Sequence, residues 1–401
     1  GQSSGWSATQ TPSIIRVGTT GGIHGVNIEN IKITDNLFDR AGSSATAAPF
    51  AVEIHQGPSA GDPDHYCKDI DISYNTIAGY SSGVRLDKTH GDIRIEGNTF
   101  KDLSSTSSST KGAVVCDYLV GAATADYVNV RLKGNTFDSC MGHILVWDPD
   151  GDTGGITDQH RRFSASNNSY FFPTGETHGF VGKLISVTGG AGNRISAARI
   201  GDNTYTGLKA SLCALEISGV ANSNVCVKDV YEYGAEGDGV VSDQARVVQA
   251  FLDELPVVVL PAHGTFLLTS ELNVKDGVTV TGGGTLKGGL DFTSNMLTLQ
   301  AGDNGCLIEN ISFETLRVLT VTAVPSGVAI AMEDTGAGQN IRIVGCRIGS
   351  SGGERFGLGI GIQGTIASGG HTISGNSIYA GIGLVFNRAG SRSTVSGNVF
   401  D

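Results

Sequence analysis

One short phrase recurs along the chain and constrains its fold more than any other feature. It is an alternating strand, a tight turn carrying Asn, and a bulky apolar residue two places later. The copies are "IKITDNLF" (Asn36), "IDISYNTI" (Asn75), "IRIEGNTF" (Asn98), "VRLKGNTF" (Asn135), "ARIGDNTY" (Asn203), "HTISGNSI" (Asn376) and "STVSGNVF" (Asn398). "RFSASNNSY" around Asn168 is a looser copy. Each copy has the period of two expected of a half-buried strand. No long helical periodicity intervenes. Similar strands at irregular spacing suit a chain that coils and stacks each turn on the last, about 4.8 Å away. The Asn side chains then bond up and down the stack, and the apolar residues pile up inside. A β-sandwich also uses such turns. It gives no reason for an inward apolar position to follow every Asn. The fold class expected is all-β, a right-handed parallel β-helix, with one short capping helix near 243–255.

Composition supports an ordered, turn-rich chain. Of 401 residues, 59 are Gly, with no Gly-X-Y period, so a collagen helix is excluded. The net charge of −12 argues against nucleic acid and anionic membranes as partners, and leaves room for a local basic patch. No apolar run reaches 18 residues, so no membrane insertion is expected. The seven Cys are scattered, odd in number and without a CxxC pair, which argues against a disulfide framework or a zinc site.

The stretch "DVYEYGAEGDGVVSDQARVVQAFLDELPVVVLP" (229–261) has the character of a beginning: turn, helix, then core strand. With "VVLPAHGTFLLTSEL" and "DGVTVTGGGTLKG" it resembles the entry motif of the pectate-lyase-like β-helix superfamily, which includes phage tailspikes and polysaccharide lyases, hydrolases and epimerases. Tyr233, Gly234, Ala235, Gly237, Asp238, Gly239 and Asp243 carry the match, which is specific over about 227–289. Gln244 departs from the usual second Asp, a change expected to weaken a turn. A cap is physically sensible, because an open coil end exposes unpaired backbone and core. Val247, Val248, Phe251 and Leu252 are expected on the buried face, with Asp243 as N-cap. Asp238 and Asp243 are read as structural.

A cap in mid-chain divides the chain into 1–225, coils carrying the candidate groove, and 226–401, the entry cap and further coils. The end "SGNVFD" and the opening "GQSSGW" would join into one coil phrase, so a permuted order, a tandem order and a piece of a longer protein stay open.

Chemistry is expected on the segments that follow the Asn turn: "AVEIHQG", "GVRLDKT", "AVVCDYL" and "HILVWDP". With Val52, Ile54, Val84, Leu86, Val114, Cys116, Ile144 and Val146 inward, the outward set is Glu53, His55, Arg85, Asp87, Asp117 and Trp147. His55, Asp87, Asp117 and Trp147 then form one column, with Glu53 beside Arg85. Carboxylates one or two coils apart bracket the separations used in glycoside hydrolysis. Asp87, Asp117, Glu53 and His55 are the catalytic candidates. Arg85, Trp147, His65 and Arg161 are the substrate-binding ones. An ordinary solvated face with incidental ion pairs is the competing reading. The loop "WDPDGDTGGITDQHRRF" offers Asp148, Asp150 and Asp152 as oxygen ligands for Ca²⁺, without the closing acidic residue of a calcium hand, since Gln159 stands there. No cofactor is required by the main reading; Ca²⁺ is the alternative.

The resemblance implies a polysaccharide-degrading enzyme of the tailspike depolymerase type, a glycoside hydrolase or polysaccharide lyase, assembled as a homotrimer and located extracellularly, secreted or on a virion surface. A secreted uronate lyase or C5-epimerase and a non-catalytic β-helical fibre or adhesin are the alternatives. The fold alone does not choose among them.

Overall fold

The computed structural model describes residues 15–17, 28–40, 50–55, 67–87, 89–103, 112–117, 128–140, 143–148, 161–172, 185–187, 197–209, 211–215, 225–252, 255–290, 292–299, 305–316, 327–332, 340–350, 356–363, 369–387 and 392–401. The chain forms two compact units, one of 1–208 with 214–227 and one of 209–213 with 228–401. Among the described residues, all strands of the six sheets pair in parallel.

In the first unit the chain visits three sheets in rotation. The first sheet contains Ile15–Val17, Phe50–His55, Ser82–Asp87, Gly112–Asp117, His143–Asp148 and Ile185–Val187. The second contains Ile28–Thr34, Cys67–Ser73, Thr89–Glu96, Val128–Lys133, Arg161–Ser166, Ala197–Gly201 and Val225–Val227. The third contains the three-residue strands that follow each Asn, from Leu37–Asp39 to Thr204–Thr206. Each strand pairs with its counterparts one rotation before and after, which makes the unit solenoid-like. The second unit repeats the scheme with three sheets of its own.

The Asn row explains how one coil fixes the next. Asn36, Asn75, Asn98, Asn135 and Asn168 each donate both backbone N–H and Nδ2–H to Oδ1 of the following Asn, at 2.9–3.1 Å, and Asn203 receives the last pair. Nδ2 also donates to a carbonyl of the preceding coil, for example Asn135 to Ile95 O at 2.7 Å. Asn75, Asn98, Asn135 and Asn168 are almost wholly buried, which their satisfied bonding permits.

The turn before each Asn needs a left-handed residue. Asp35, Gly97, Gly134, Asn167 and Asp202 supply it, with φ between 55° and 64°. Tyr74 takes the same conformation at φ 57°, with its exposed ring over Gly97. Two residues after Asn comes the inward position. There Phe100, Phe137, Tyr170 and Tyr205 stack at 5.0 Å with near-parallel rings.

In the second unit the ladder is shorter. Asn376 donates to Asn398, and Cys346 stands one coil earlier. Its N–H donates to Asn376 Oδ1 at 2.8 Å, and its thiol donates weakly to Ile308 O, where an Asn would place Nδ2. Burial pushes this thiol up to about 11. Of the described Cys, four are buried and Cys226 is exposed.

The capping segment folds as a 3-10 turn at Val230–Tyr233, a strand at Asp238–Ser242 and a helix at Gln244–Leu252. The helix packs on this turn and on the strands Thr265–Leu268 and Leu272–Val274. Its buried face is Arg246, Val247, Ala250 and Phe251, whereas Val248 is half-buried and Leu252 exposed. The difference from the expected face turns on Arg246. Its fully buried guanidinium lies 3.3 Å from Glu236 and 3.4 Å from Asp243, and donates to Leu212 O and Lys209 O. The helix is rotated to bring this cation inward.

The Asp243 carboxylate does not cap the helix. It accepts from the N–H groups of Glu236 and Gly237 at 2.9 and 3.1 Å, closing the Gly-rich turn. Burial pushes its carboxyl upward, against those two donors and the guanidinium. Gly237 has φ 64°, and a Cβ there would sit 2.9 Å from the Tyr231 hydroxyl. Gln244 strengthens a turn rather than weakening one: its Oε1 accepts from Thr269 N and Ser270 N, both at 2.9 Å. Asp238 accepts from Val240 N and Val241 N, which lowers its carboxyl below the usual range.

Three stability outcomes follow. Asn135→Ala strands the buried backbone N–H of Asn98 and removes the side-chain bonds to Ile95 O and Asn168 Oδ1, and it is expected to cost on the order of 3 kcal/mol in denaturant unfolding. Arg246→Met leaves the buried Asp243 carboxylate without its cation, for an expected loss of about 3–5 kcal/mol. His371 is 1% exposed, and neither ring nitrogen has a hydrogen-bond partner among the described residues, so burial lowers its pKa. Its neutral form is therefore preferred in the folded state. The second unit should keep its full stability above the unfolded value of about 6.5 and lose it as pH falls through that value. Thermal midpoints of wild type and His371→Leu across this range measure the effect; an unchanged pH dependence in the variant would show that His371 is not its source.

Candidate functional site

The candidate face lies on the first sheet of the first unit. Val52, Ile54, Val84, Leu86 and Val114 are fully buried, so the expected inward set holds where side chains are described. Glu53 and Arg85 alternate with them and are partly exposed. They are register partners and form an ion pair at 3.3 Å, with side chains 12% and 28% exposed respectively. The Arg85 guanidinium also lies 5.7 Å from the Phe50 ring centroid. Phe50 and Glu53 are on the strand Phe50–His55, one coil before Arg85, so a single strand orients the guanidinium from two directions. Phe50 was not among the expected residues; its place three residues before Glu53 is the only signal for it.

Backbone register fixes the rest of the face. His55 is level with Asp87, and Asp87 with Asp117. The next partner is not Trp147. Trp147 is level with Cys116, and Asp148 with Asp117. The column is therefore His55, Asp87, Asp117, Asp148. Trp147 leaves it, and Asp148 is the last residue of the strand rather than the start of a loop. The reason is the segment "HILVWD": Ile144 through Trp147 are all apolar, so alternation cannot choose the parity, and pairing with Gly112–Asp117 decides it. The other row on this sheet runs Arg16, Glu53, Arg85, Val115, Val146 and Ser186.

Arg161 is on a strand of a different sheet from this column. It opens a strand of the second sheet, level with Val128. His65, Asp150 and Asp152 lie outside the described residues. Among the described residues, no group of three His, Cys, Asp or Glu side chains is placed to hold a metal ion. None of their helices is long and apolar enough to cross a membrane.

Asp87, Asp117 and Asp148 occupy level backbone positions in three consecutive coils, about 4.8 Å apart. Compared with known proteins, the chain matches no protein-family model and no curated protein.

Proposed function

We propose that the first unit is a polysaccharide-cleaving right-handed parallel β-helix of the pectate-lyase-like type, with its reaction centre on the column Asp87, Asp117 and Asp148. The supporting observation is the register that sets these three positions level in successive coils. Positions one coil apart match the carboxylate spacing of about 5–5.5 Å used in retaining hydrolysis. Those two coils apart, Asp87 and Asp148, approach the 6.5–9.5 Å of inverting hydrolysis.

Asp117, the central position of the three, acts as general acid. Asp87 or Asp148 serves as the nucleophile or base. His55 extends the column on its other side. Arg85, held by Glu53 and Phe50, binds a sugar substituent or a developing negative charge, and Glu53 is a positioning residue. The substrate is a long glycan lying across successive coils. An extracellular location and a trimeric assembly belong to the same reading through the resemblance of 227–289.

The test is incubation with a panel of acidic and neutral polysaccharides. New reducing ends without ultraviolet-absorbing unsaturated ends are expected from wild type. Asp117→Asn and Asp87→Asn are expected to lower the rate by about 10²–10⁴ with unchanged unfolding midpoints. Full activity in both variants would remove the column from the mechanism. Unsaturated ends would mark a lyase instead.

A further inference from the structure

The second sheet of the first unit carries a charge pattern that the proposed reaction does not use. Its inward residues over four consecutive strands are Ile93, Ile95, Val130, Leu132, Phe163, Ala165, Ala198 and Ile200, all buried. The alternate residues face solvent. On these four strands they include Arg94, Arg131, Lys133, Arg162 and Arg199, all exposed, against the acidic Asp92 and Glu96, and the adjoining strand sets Asp71 level with Arg94. This face is net positive on a chain of charge −12.

Register makes it a strip rather than a scatter. Arg94 is level with Arg131, Arg131 with Ser164, and Ser164 with Arg199. The line therefore runs across four coils at about 4.8 Å per step, along the stacking direction. Arg162 flanks it, level with Asn129. The acids of these four strands are partly engaged: Asp92 accepts from Asn129 at 3.0 Å, and Glu96 lies 3.9 Å from Arg131. Arg94, Arg162 and Arg199 have no ion-pair partner among the described residues. Two arginines directly level with each other repel, a cost that exposed strands ordinarily avoid.

We infer that this strip docks a linear acidic polysaccharide along the coil-stacking direction, on a different sheet from the Asp87–Asp148 column. Arginine forks suit carboxylate or sulfate groups, which they bind bidentately. Repeated charge at the coil spacing suits an extended polymer bearing acid groups at regular intervals. The small residues Ala197, Ser164, Ser166 and Gly201 keep the surface between the cations low. No aromatic side chain alternates with the arginines on these strands, so the stacking platform that single-stranded nucleic acid uses is missing from them. The inference stands whether or not the first sheet is catalytic.

Binding of the full chain to immobilised polygalacturonate, heparin, neutral dextran and poly(dT) tests it. Expected are binding to the two acidic polysaccharides, weakening as salt rises, and no binding to dextran. Arg131→Glu with Arg199→Glu should weaken binding more than about tenfold, as loss of charge-assisted contacts predicts. The milder pair Arg94→Gln with Arg199→Gln should also weaken it, and serves if charge reversal disturbs folding. Arg342→Gln with Arg347→Gln, both exposed on the second unit, should bind as wild type does, which separates this strip from a general effect of charge. Equal binding to dextran, tighter binding to poly(dT), or unchanged affinity in both arginine pairs would overturn the inference.

Discussion

The hydrogen bonds between coils are the constraint on which the rest depends. A strand in either unit is short, often three residues, and could not persist alone. Its backbone groups are satisfied only by the strands directly before and after it in the stack. The buried Asn row adds side-chain bonds to that requirement, and it adds them at the turn, where a sheet would otherwise lose register. Once register is held there, every residue downstream has a fixed level. The Phe100–Tyr205 stack, the Glu53–Arg85 pair and the acidic column are all consequences of that one alignment.

Much of this was legible because the turn is chemically demanding. An Asn able to bond in four directions, preceded by a residue tolerant of positive φ, leaves a phrase that sequence alone can find. The partner row in the second unit was less legible, because Ile311 and Cys346 occupy ladder positions. A thiol keeps the donor role but carries no amide oxygen, so the pattern vanishes from the sequence while the coil persists. The cap was visible as a turn and a helix. Its helix orientation was not, because periodicity scores Arg246 as polar, whereas four acceptors around its guanidinium make it the most committed interior residue of that helix.

The candidate site shows the same limit in sharper form. Alternation assigned Glu53 and Arg85 correctly, since Val52, Ile54, Val84 and Leu86 frame them. It failed at "HILVWD", where four apolar residues in a row erase the alternation. There pairing with the previous coil sets the level, and it substitutes Asp148 for Trp147. The correction changes the chemistry of the column from a carboxylate pair beside an aromatic platform to a run of three carboxylate positions.

The Asn row has a direction. In every Asn-to-Asn bond the earlier coil donates N–H and the later coil's amide oxygen accepts, while the second Nδ2 hydrogen reaches back to a carbonyl of the preceding coil. Such a row can be lengthened or shortened only by whole turns of the chain. A gain or loss of part of a turn would set a donor against a donor, or an inward residue against solvent. Insertions within the loops are exempt, because they leave the turn untouched. The spacing between successive Asn, from 23 to 39 residues in the first unit, shows how freely the loops have varied while the level of each coil has not. Length in such a protein is counted in coils, and diversity accumulates at the rim.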